Sequence, residues 1–131
     1  MARSILFLML AILSAGATAA WTRIGGTDRF DSYADRATIV KNGNLVKMWE
    51  LRDYKVPNNA GGKPHLSSKL LFEFDCKDMR RRLISFDDYS GNMGNGKVVI
   101  TSADLGKSLG NLEPFDPGTH AEVIWKFGCG K

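Results

Sequence analysis

Histidine and cysteine are both scarce in this chain, two of each among 131 residues, and most of what the protein is not follows from that scarcity. His65 and His120 stand apart from one another and no C-x-x-C pair occurs, so no donor set for a metal ion is spelled out. A G-x-S-x-G turn is missing as well. His65 precedes Leu66-Ser67-Ser68, but successive strand residues point to opposite faces, which argues against a hydroxyl nucleophile with a histidine base. His120 opens a predicted helix, where a structural or solvent-facing role is expected. Gly91-Asn92-Met93-Gly94-Asn95-Gly96-Lys97 fits the phosphate-loop pattern G-x-x-x-x-G-K, yet Val98 stands where Ser or Thr must hold Mg²⁺. The residues that follow, Val98-Val99-Ile100-Thr101, read as a strand rather than the helix such a loop needs. No catalytic, cofactor-binding or metal-binding residue is assigned, no cofactor is expected, and the chain reads as a non-enzyme.

Charge of one sign is also lacking. Eighteen Lys+Arg stand against 14 Asp+Glu, a formal charge of +4 that falls to +3 if Arg3 is removed, too balanced to point to nucleic acid. Beyond residue 20 no apolar run approaches the roughly 20 residues of a transmembrane helix, and no internal repeat or low-complexity tract is present. The carboxylates form no evident acid/base pair. Asp87 and Asp88 should face opposite sides of a strand, Glu73 and Asp75 share a side and read as a solvated stripe, and Asp116-Pro117-Gly118 reads as a turn.

What is present begins at the N-terminus. Arg3, the apolar run Ile5–Leu13 and the small residues Ser14–Ala20, ending Ala-Thr-Ala-Ala before Trp21, follow the pattern of a secretory signal peptide, with the new N-terminus expected at residue 20 or 21. Residues 1–20 are assigned to that signal and 21–131, about 111 residues, to a single domain. Neither cysteine lies near the cleavage site, so no lipid-attachment cysteine is expected there. In an oxidising compartment Cys76 and Cys129 are expected to pair rather than to serve as a reactive thiol or metal ligand. The bridge would close a loop of about 54 residues, with an entropic ceiling near 4 kcal/mol.

The elements read as mostly β. Leu66–Cys76 alternates with period two, placing Leu66, Ser68, Leu70, Phe72, Phe74 and Cys76 on one side. Ala37–Val40 and Leu45–Tyr54 flank an Asn42-Gly43 hairpin turn. Phe30–Ala34 is a further strand, Trp21–Ile24 lies along the sheet edge, Arg80–Tyr89 runs back beside Leu66–Cys76, and Lys97–Ser102 follows a glycine-rich turn. Val56–Pro64 reads as a loop. Thr119-His120-Ala121-Glu122 fits a capping box, which opens a short helix Thr119–Phe127 with Gly128 as its stop and Ile124 and Trp125 on its buried face.

One feature has interaction content. Lys77, Arg80, Arg81 and Arg82, with Lys126 nearby if the helix docks beside Cys76, form a basic cluster in which Arg80 and Arg82 project together and Arg81 opposes them. Solvation of an exposed edge explains such a cluster, and so does an anionic partner; on the second reading Lys77, Arg80 and Arg82 are the candidate partner-binding residues.

The succession Tyr33-Ala34-Asp35-Arg36-Ala37-Thr38-Ile39, Val46-Lys47-Met48-Trp49-Glu50-Leu51, Phe74-Asp75-Cys76 with its arginine run, Tyr89 before Met93-Gly94-x-Gly96, and Pro117-Gly118-Thr119 ahead of a terminal cysteine resembles the surface-adhesin protein E family. The resemblance covers nearly all of the mature chain. It implies an α+β, mostly β fold: an antiparallel sheet of about six strands with a C-terminal helix tethered by the disulfide to its concave face. It further implies an adhesin that binds host extracellular-matrix or plasma proteins such as vitronectin, laminin and plasminogen, whereas an anionic glycan is a candidate partner of the basic cluster. A periplasmic protein that maintains the envelope, with no host role, is the alternative, and the location is the periplasm or the cell surface accordingly.

Overall fold

The structure, a computed structural model, describes residues 20–131. The signal peptide assigned to residues 1–20 lies outside the described residues except for Ala20. Eight strands follow in chain order: β1 Thr22–Gly26, β2 Phe30–Ala34, β3 Val40–Asn42, β4 Leu45–Asn58, β5 His65–Asp75, β6 Arg80–Tyr89, β7 Val98–Thr101 and β8 Glu113–Pro114. One helix, α1 His120–Cys129, ends the chain. Six strands form a continuous antiparallel sheet in the order β1-β2-β4-β5-β6-β7, with the short β3 paired to β4 and β8 to β6.

Residues directly opposed in an antiparallel ladder share a face. Val46 faces Phe74, and Met48 faces Phe72, which in turn faces Leu83. Their side carries the core of Ala34, Met48, Phe72 and Phe74, closed by Ile124 and Trp125 from α1. Three ties hold the helix there besides apolar burial. The Trp125 indole Nε1–H donates to the Asp75 carbonyl at 2.8 Å, Cys129 is bonded to Cys76 with Cα atoms 5.6 Å apart, and His120 reaches Glu50. The expected disulfide and helix-on-sheet arrangement are both present.

Several boundaries differ from the sequence reading, each for a local reason. Residues 37 and 38 belong to a 3₁₀ turn, Arg36–Thr38, because Asp35 accepts the Ala37 N–H and the Thr38 hydroxyl donates to the Asp35 carbonyl; the first hairpin strand therefore starts at Val40. The turn itself is as expected, with Gly43 at φ 60°. Val56, Pro57 and Asn58 continue β4 instead of opening a loop. The ladder to β5 skips from Asp53 to Asn58, so Pro57, which has no N–H, occupies a stretch where none is demanded. Cys76 falls just past β5. Lys97–Ser102 shortens to Val98–Thr101 and continues as a 3₁₀ turn, and β8, at two residues, is too short to carry a period in the sequence.

The helix departs most. Thr119 is its N-cap residue, but its side chain donates backward to the Asp116 carbonyl, and Glu122 accepts from Gly118 rather than from the cap's own N–H. Gly128 does not stop the helix. It lies inside it, where Met48 Sδ and Phe74 Cδ2 would be 3.6 Å from an added Cβ, and the left-handed stop is Gly130 at φ 69°, sealed by the Lys131 N–H bonded to the Lys126 carbonyl.

Candidate functional site

Along β4 the helix-covered face turns from apolar to polar, from Val46 and Met48 to Glu50, Arg52 and Tyr54. Glu50 is fully buried and accepts three donors: Ser32 Oγ at 2.5 Å, Arg52 Nε at 2.8 Å and His120 Nε2 at 2.7 Å. Burial alone would raise its carboxyl, but His120, Arg52 and Ser32 together hold it below the ordinary glutamate value. The Arg52 guanidinium lies 4.8 Å from the Phe30 ring centroid, and His120 meets the same ring edge-on at 5.1 Å.

A second polar cluster lies further along this sheet. Tyr54 OH is 3.1 Å from Ser68 Oγ, Ser68 donates to Asp88 Oδ1 at 2.6 Å, and His65 Nε2 is 3.7 Å from that same oxygen while its Nδ1 meets the Lys63 carbonyl. Each histidine thus stands beside a hydroxyl and a carboxylate, a grouping the sequence did not disclose. The wiring is not that of a nucleophile and base, because each serine gives its proton to the carboxylate and neither bonds an imidazole. Ser32 and Ser68 are also buried. Asp87 and Asp88 do face opposite sides, paired with Lys69 and Ser68 respectively.

The glycine-rich segment after β6 is stitched to the sheet. Met93 N–H and the Asn92 amide donate to Asp53, Gly94 N–H donates to Ser67 Oγ, and that hydroxyl donates to the Gly91 carbonyl. β7 follows it.

The arginine run alternates as expected, but its surroundings differ. Glu73 and Asp75 are not a solvated stripe. Both are buried, because Arg82 and Arg80, directly opposite on β6, cover them with ion pairs of 2.8 and 2.6 Å. Arg80, with backbone donors from Asp78 and Lys77, holds Asp75 below the ordinary aspartate range. Lys77 is exposed, and Lys126 pairs with Glu122 on its own helix. The charges of Arg80 and Arg82 are therefore largely compensated in place.

Arg81 is different. It projects to the opposite face, 4.9 Å from the Phe72 centroid, and forms no ion pair among the described residues; its Nη1, like the Nε of Arg80, is enclosed without an acceptor. Burial, then the nearby Arg52 guanidinium, push it below its ordinary value, with Glu50 acting in the opposite sense. Arg52, Arg81, Phe72, Leu83 and Leu109 line a cleft of about 430 Å³. Arg52 also borders a second cleft of about 410 Å³ formed with Arg29, Phe30, Tyr54 and Pro57. Arg52 is paired with Glu50, and Glu113 also borders the cleft with Arg81, so Arg81 is the cation there without an ion pair among the described residues, and it is the local demand for negative charge. Arg81 was visible as part of the run, but Arg52 was not. Their meeting depends on strand pairing.

No helix among the described residues is long and apolar enough to cross a membrane, and no group of three or more metal-ligating side chains occurs among them. No curated protein matches the chain. The crystal structure of protein E from non-typeable Haemophilus influenzae is similar, with a TM-score of 0.58 over 88% of this chain and 79% of that one. At 13% sequence identity, that likeness concerns the fold. The family model described as Surface-adhesin protein E matches residues 21–130, nearly the whole of the sheet and helix described above, and the chain belongs to that family.

Proposed function

We propose that the protein is an exported, non-enzymatic binding module that holds an acidic or sulfated segment of a macromolecular partner, a host matrix or plasma protein in the adhesin reading, against Arg52 and Arg81. The observation that carries this is Arg81: a guanidinium over Phe72 that borders a cleft, lies close to a second arginine and forms no ion pair among the described residues is placed to gain from an anion. Lys77, Arg80 and Arg82 remain the second candidate surface. Their use would compete with Asp75 and Glu73 for the same guanidinium groups.

Binding of the purified mature protein to immobilised vitronectin, laminin and heparin across a salt series tests this reading. Salt-sensitive binding to at least one supports it. No binding to any of them, together with protection from protease on intact cells until the outer membrane is breached, favours the periplasmic structural alternative.

A further inference from the structure

Asp35 is 6% exposed, and both its oxygens accept backbone N–H groups: Oδ1 from Ala37 at 2.9 Å and Oδ2 from Ala20 at 3.0 Å. Among the described residues no lysine, arginine or histidine forms an ion pair with it. A carboxylate so enclosed, with neutral donors only, retains much of its desolvation penalty. The missing cation is one covalent step away. Ala17-Thr18-Ala19 supplies the A-x-A pattern immediately before Ala20, and Ala20 itself is exposed.

We propose that a signal peptidase hydrolyses the Ala19–Ala20 bond and that the ammonium group so created docks on Asp35, making the mature N-terminus a structural part of the fold. Water supplies the hydroxyl that completes the Ala19 carboxyl group and the hydrogen that completes the Ala20 amine, which then takes up a proton at neutral pH. The neutral N–H···Oδ2 contact becomes a charge-assisted one, the stronger class of hydrogen bond. Asp35 directly follows β2, and Thr22 of β1 pairs with Ala34. The docked ammonium therefore anchors the chain just where the edge strand enters the sheet. A cut one residue later, after Ala20, would delete the residue that carries the donor.

This inference rests on the export half of the proposed function and is independent of the partner. The test has two readouts. The intact mass of the protein exported from a bacterium expressing the full precursor should correspond to a chain beginning at Ala20. A start at Trp21 overturns the inference while leaving export standing, and a chain retaining Arg3 overturns both. In thermal denaturation, the chain beginning at Ala20 with a free amine should melt about 4 °C above the same chain N-acetylated and above a chain beginning at Trp21. The difference between free and acetylated amine should vanish in Asp35→Asn. Equal melting of the free and acetylated wild-type chains contradicts docking, and that comparison needs no substitution that could impair folding.

Discussion

Glu50 is where strand β2, strand β4 and helix α1 are tied by one side chain. Its three donors come from Ser32, Arg52 and His120, and two of those partners are 18 and 70 positions away in the chain. Replacing it with Gln would turn an amide N–H₂ toward groups that themselves donate, so Glu50→Gln is expected to lose about 2 kcal/mol in urea unfolding. His120→Ala should lose a similar amount, because the buried carboxylate remains with one donor fewer. The pH dependence has a fixed sign. A carboxyl held below its ordinary value contributes fully above its unfolded pKa, about 4.3, and that contribution disappears as pH falls through the folded value. Asp75 acts in the same sense through Arg80. The urea midpoint of the wild type should therefore drop on acidification from pH 5 to pH 3, and drop less in Glu50→Gln. The sequence places His120 at a helix start with a structural or solvent-facing role, but its partner Glu50, one residue of a strand segment, was not legible there. Burial and long-range pairing create the network.

At the scale of elements, the strands were readable because period-two alternation and an Asn-Gly turn are local signals. Boundaries were less so. Pro57 looked like a loop residue, and only the skipped register opposite it explains how β4 contains it. Gly128 looked like a helix stop, whereas it lies within the helix facing Met48 and Phe74, where only a small side chain fits. The space there admits a methyl group at ordinary contact distance. Gly128→Ala should thus be neutral or stabilise by up to about 1 kcal/mol through helix propensity, while Gly128→Leu should destabilise by about 1–3 kcal/mol through overpacking. Thermal melts of the two variants separate close approach from helix termination, since a left-handed stop would penalise both. The disulfide belongs to this scale too. Cys76→Ser should lower stability by no more than about 4 kcal/mol and leave Cys129 as a free thiol titratable without reductant.

For the whole molecule, near-balanced charge conceals two arginine environments on opposite faces of one sheet. The run Arg80-Arg81-Arg82 announced a cluster, but its net field could not be read from the sequence, because Asp75 and Glu73 lie on the neighbouring strand and neutralise two of its members. Reversing Arg80 and Arg82 to Glu would set new carboxylates against buried ones, so these positions are better changed to Gln. Arg81→Met keeps an unbranched apolar stem over Phe72 while removing the guanidinium with its charge and donors. The most direct test is retention of folded wild type, Arg81→Met and Arg80→Gln/Arg82→Gln on heparin or on whichever matrix protein the wild type binds, at low ionic strength. A loss of about tenfold or more in Arg81→Met, with the double variant close to wild type, is the expected result. Undiminished binding by folded Arg81→Met would contradict the assignment of the Arg52–Arg81 cleft as the site.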